Sequence, residues 1–145
     1  METGQKGNYM KTNLDKIYKN DASLEKEGIW FDVAKDCGFL IKRFGGFNSQ
    51  AVKMELAKYY KPFAKQIENG TMDERKEREL SLKVFVNSCI LDWKGIEIDG
   101  AIAPFSKEAC INVLLELPEL TDTLIQYASD SKNYREEVGN SLKGL

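Results

Sequence analysis

The chain has 145 residues, 42% apolar and 30% charged, with three cysteines and no histidine. That is the length of one domain able to bury its own core, and the net charge of −2 excludes bulk attraction to nucleic acid or acidic membranes. Without histidine the commonest general base and metal ligand is missing, and Cys37, Cys89 and Cys110, with no C-x-x-C pair, read as reduced thiols and not as a disulfide frame or zinc site.

Residues 1–13 are polar, include Gly4 and Gly7, and are expected to be disordered. No apolar signal region opens the chain, and no run of about 18 apolar residues could span a membrane. Residues 13–26 carry few large apolar side chains and predict a loose segment or a short helical turn. A single domain is expected over 14–134, with 135–145 a weakly ordered tail.

Residues 29–33 (IWFDV) and 39–44 (FLIKRF) are two β-branched and aromatic runs separated by a turn, which predicts a β-hairpin. Ile29, Phe31 and Val33 share one face, and Trp30, Asp32 and Ala34 the other. Gly38 suits a positive φ in the connecting loop. Gly45-Gly46 ends the second strand, and Asn48 or Ser49 is a candidate cap for a helix. That helix carries a stripe of Val52, Leu56, Tyr59, Tyr60, Phe63 and Ile67. Pro62 lies within it and predicts a kink near residues 60–61. Lys53, Lys58, Lys61 and Lys65 read as its solvated side.

Asn69-Gly70 closes that helix, and Thr71 with Glu74 has capping-box spacing. The following helix is charged at its start and apolar all round over 82–91, so it is expected to run into the core, with Trp93 just beyond it. Asp99-Gly100 predicts a tight turn. Ser106 is the expected cap of a helix over 107–117, and Pro118 suits the first position of the next. Leu120, Leu124, Ile125, Tyr127 and Ala128 form a further stripe, and Tyr134, Val138 and Leu142 a weaker one. The fold class expected is α+β, mainly helical, with an N-terminal β-hairpin and four to five helices after it. The expected core includes Ile29, Phe31, Ile41, Leu56, Tyr60, Phe63, Val84, Phe85, Cys89, Leu114, Leu117 and Leu124.

Chemistry-bearing motifs are scarce. Gly45-Gly46 lacks the spacing and Lys-Ser/Thr of a phosphate loop, and there is no G-x-S-x-G elbow. Asp92 with Glu97 or Asp99 reads as solvated loop acid, since working acids sit in pockets. No catalytic residue, cofactor or metal is expected, and no nucleic-acid or membrane partner. The charge is uneven: residues 1–69 hold 12 bases against 9 acids, and residues 70–145 hold 9 against 14. Opposite ends of this kind could steer self-association.

The series Asp92-Trp93, Gly95, Pro104-Phe105-Ser106, an apolar helix, then Leu117-Pro118-Glu119-Leu120 resembles the C-terminal half of the tail assembly chaperones of long-tailed bacteriophages. Gly28-Ile29-Trp30-Phe31, the 39–44 strand and Tyr60-Lys61-Pro62 extend the resemblance over about 14–134. The resemblance implies a non-catalytic host-cytoplasm protein that binds the tape-measure protein, recruits tail-tube protein and is absent from the mature virion. A structural virion subunit, such as a tail-completion or connector protein, is the alternative. Candidate partner-binding residues are Leu120, Leu124, Tyr127, Tyr134 and Val138, because the two C-terminal stripes offer more apolar surface than one small core needs. A homo-oligomer is also possible on the charge asymmetry.

Overall fold

The computed structural model describes residues 11–135, so the expectations for 1–13 and 135–145 fall almost entirely outside the described residues. Two short helices, α1 (Asp15–Tyr18) and α2 (Ala22–Glu27), precede the hairpin β1 (Ile29–Ala34) and β2 (Cys37–Ile41). Five helices follow: α3 (Ser49–Tyr60), α4 (Ala64–Asn69), α5 (Glu74–Cys89), α6 (Lys107–Leu115) and α7 (Pro118–Ser129). The α+β expectation holds, and so does the helix count after the hairpin.

β1 alternates half-buried Ile29, Phe31 and Val33 with exposed Trp30, Asp32 and Ala34. This is the period of two expected of a strand with one wet face. The turn differs in detail. Asp36 takes the positive φ of 57°, and Gly38 lies in β2. Gly38 is needed for another reason: a Cβ there would sit 2.7 Å from the Phe31 carbonyl oxygen.

A third strand, β3 (Ile90–Lys94), pairs antiparallel with β2, so the sheet order is β1-β2-β3. Sequence periodicity instead assigns residues up to 91 to the helix. The chain leaves the helix at Cys89 without a Gly or Pro because the free edge of β2 captures it; the Lys42 amide donates to the Cys89 carbonyl at 2.7 Å. The ammonium of Lys107 closes the helix end, donating to the carbonyls of Val86 (3.1 Å) and Ile90 (2.7 Å). A cation there meets the negative end of the helix dipole. Burial, and then the nearby charge of Lys42, lower the Lys107 pKa from its usual value.

The caps divide into those expected and those not. Ser106 Oγ accepts from the Ala109 amide at 3.0 Å, and Pro118 opens α7, both as expected. Asp99 and Gly100 have φ of 54° and 82°, the paired positive values of a tight hairpin turn, here joining β4 (Glu97–Ile98) to β5 (Ala101–Ile102). Thr71 does not cap α5; Asp73 does, accepting from the Lys76 amide at 3.1 Å. Thr71 is already engaged, its amide donating to the Gln66 carbonyl (2.9 Å) to close α4. Neither Asn48 nor Ser49 caps α3. Ser49 is the helix's first residue, and Asn48 is buried, its amide bridging the carbonyls of Arg43 (2.9 Å) and Ser88 (3.0 Å). Two buried acceptors need a donor more than an exposed helix end does.

The core lies between the inner sheet face and α5, closed by α6 and α7. Phe39, Ile41, Phe85, Val86, Cys89, Ile90, Trp93, Cys110, Leu114 and Leu124 are buried in it. Trp93 holds the closure, donating Nε1–H to the Ala103 carbonyl at 2.9 Å and meeting Phe39 and Phe105 edge-on. Of the expected core, Ile41, Val84, Phe85, Cys89, Leu114 and Leu124 are buried, while Ile29, Phe31, Tyr60 and Phe63 are half-buried. Leu56 and Leu117 are corrections, 42% and 46% exposed.

Candidate protein-docking surface

The α3 stripe splits into two edges, which is why Leu56 escapes the core. Val52 packs on the core, and the Tyr59 hydroxyl accepts from Asn87 of α5 at 2.9 Å. Leu56 and Tyr60 lie on the other edge. Pro62 breaks the helix into a 3₁₀ turn at Lys61–Phe63, and α4 continues beyond it, as its ring and missing N–H require. The bend leaves an open trough of about 560 Å³ lined by Leu56, Ala57, Tyr60, Ala64 and Ile67, with Lys61 and Glu68 at its margin. Ile67 is 44% exposed. Burial, chiefly, raises the Tyr60 pKa, while a hydrogen bond with Ser81 opposes the shift. Lys53, Lys58 and Lys65 are exposed on the same two helices.

The partner-binding residues expected from the sequence are placed differently. Leu124 and Tyr134 are 0% exposed and belong to the interior. Leu120 and Tyr127 are half-buried against the core, and the Tyr127 ring stacks on Phe31 with centroids 4.1 Å apart. Val138 lies outside the described residues. The Tyr134 hydroxyl donates to the Ile41 carbonyl at 3.1 Å, so this ring seals the base of the sheet. The first stripe and the start of the second therefore close the core. The trough residues are the ones that sequence reasoning missed as a surface. The signal available for them was Pro62, which divides the stripe.

Asp92, Glu97 and Asp99 are exposed, and Asp92 accepts only from the amide of Trp93, its neighbour (2.8 Å). Among the described residues no group of three or more His, Cys, Asp or Glu side chains could hold a metal, and no helix is long and apolar enough to cross a membrane.

The thiols are structural in character. Burial pushes the pKa of Cys89 up to about 11 and that of Cys110 to about 12, from an ordinary 9.0. A thiol held protonated is a poor nucleophile. Iodoacetamide at pH 8 should therefore modify the partly exposed Cys37 in the native protein and all three thiols after unfolding, as read by mass. Rapid native labelling of Cys89 would contradict its burial. The same shifts set a stability window. The contribution is complete below pH 9 and is lost as pH rises towards 11–12, because the unfolded chain releases these protons first.

The fold and surface define a small α+β domain carrying an open apolar trough between two helices. The chain belongs to the YdaY prophage protein family, whose model matches residues 47–144. The match begins at Phe47, after the hairpin, and takes in α3 to α7, so the trough lies inside it. No curated protein matches the chain, and no solved structure matches it. What the match establishes is a prophage protein; it does not extend to the chaperone resemblance.

Proposed function

We propose that this prophage protein is a non-catalytic tail assembly chaperone, which binds the tape-measure protein and supports assembly of the tail tube in the host cytoplasm. The observation that carries this reading is the trough between α3 and α4. It spans Leu56 to Ile67 across the turn at Lys61–Phe63 and is open along its length. Its floor is apolar, with Lys61 and Glu68 at its margin, which suits an amphipathic helix laid into a groove. A long helical protein with apolar stripes needs such a cover until its own partners arrive. The prophage family supports the setting.

Co-expression with the tape-measure protein tests the reading. The client should be more soluble with this chain than alone, and the complex should survive size exclusion. The double variant Leu56→Asp, Ile67→Asp should lose the complex. Its melting temperature should change little, because exposed substitutions commonly stay within about ±0.5 kcal/mol. If the wild type neither solubilises nor retains the client, the reading fails. Stoichiometric recovery of this chain in purified tails would instead assign it to the structural subunits of the virion.

A further inference from the structure

A second concavity adjoins the trough. Where α5 meets the α6–α7 corner, Leu82, Leu114 and Leu115 are buried. On the same side α5 presents Arg78 and Ser81, one too polar and the other too short to close the junction as a leucine would. The result is a recess of about 100 Å³, with those three leucines at its floor and Pro118 and Ile125 in its walls. A space of this size is below the roughly 150 Å³ that admits benzene. It fits an aliphatic side chain of leucine size better than an aromatic ring.

The polar groups of the recess are already engaged with the fold. Arg78 Nη2 donates to the Leu115 carbonyl at 3.1 Å, and the Thr121 hydroxyl to the Leu114 carbonyl at 2.8 Å. Ser81 hydrogen-bonds with Tyr60. A guest therefore meets apolar surface and gains chiefly by leaving water. Arg78 and Asp122 line the recess with opposite charges, so together they favour neither an acidic nor a basic guest; selection is by shape and apolarity. Ser81 also forms the ridge between the two concavities, because its partner Tyr60 lines the trough. A helix lying in the trough has the recess within reach across that one ridge.

We propose that the recess between α5, α6 and α7 anchors one aliphatic side chain of leucine size, carried by the helical client that lies in the trough. The trough is open and holds its guest loosely; the recess takes a single side chain out of water on several sides. Such buried anchors carry most of the energy of an interface, and the contacts around them mainly exclude water. The anchor also fixes the register of the client along the trough. This rests on the trough being the client site, as proposed above.

Methyl NMR of the full chain under xenon, together with titration of the tape-measure protein, tests it. Xenon should shift the methyl signals of Leu114, Leu115 and Ile125 in the wild type. Ser81→Leu and Ile125→Phe fill the recess from two sides. Both should lose those shifts, melt near the wild type and bind the tape-measure protein at least tenfold more weakly. Ser81→Ala gives up the hydrogen bond to Tyr60 but leaves the recess open, and should bind as the wild type does. A wild type whose methyl signals ignore xenon overturns the proposal. So do filled variants that bind the client as tightly as the wild type; if Leu56→Asp, Ile67→Asp still abolishes that complex, the anchor falls and the chaperone reading stands. A wild type that takes xenon but forms no client complex sinks the chaperone reading, and the client anchor with it.

Discussion

Phe85→Ala should destabilise the domain by about 3–5 kcal/mol, the usual range for a buried ring cut back to a methyl. The side chain is 0% exposed in the last turns of α5, and its ring meets Phe44 edge-on at 5.3 Å. Truncation removes the transfer energy of the ring. It also leaves a space that Val86, Cys89 and the sheet cannot refill without moving the helix. Set against a typical total of about 5–15 kcal/mol for a domain, the loss puts the variant close to unfolding. Urea denaturation followed by circular dichroism measures it. A change below about 1 kcal/mol would show that α5 does not bury this ring.

Glu25→Ala should cost nearly as much, for a different reason. The carboxylate is 1% exposed and ion-paired to Arg43 at 2.9 Å, where the arginine side chain is itself only 17% exposed. It also accepts from the Phe47 amide at 2.6 Å and from the Asn20 side chain at 2.5 Å. Removing one partner of a buried pair strands the other, at about 3–5 kcal/mol. Among the described residues the Arg43 Nε already has no partner, and none of them offers the guanidinium an alternative acceptor there. Glu25→Gln keeps an oxygen for the Phe47 amide and should be less damaging. Urea midpoints for both variants decide the matter. Equal losses would mean that the retained hydrogen bonds contribute nothing without the charge.

Local pattern revealed the hairpin, α5, the Ser106 cap and the Pro118 start, because each rests on interactions within a few residues. It could not reveal β3. The stretch Ile90–Lys94 continues a run that is apolar on all sides, and only the waiting edge of β2, some fifty residues earlier in the chain, turns it into a strand. The expected surface failed for a similar reason. A stripe at helical spacing shows which residues share a face but not what covers that face. Tyr134 and Leu124 are covered by the sheet and α5, whereas Leu56 has nothing over it. The Thr71 error was a competition between neighbouring helix ends for one residue, decided by Gly70 adopting a left-handed φ of 68°.

The ring of Tyr134 ties the end of the described chain to its beginning. Its carbonyl accepts from the Asp21 amide at 3.1 Å, and nearby Asn20 donates to the Ser131 carbonyl, 111 residues away in sequence. A chain still emerging from the ribosome can form the hairpin early, but the base of its sheet stays open until residue 134 is free. Contacts between such distant residues form slowly. Until then the nascent domain exposes Ile41 and Phe31, and the hairpin waits for the segment carrying Tyr134 before its inner face is sealed.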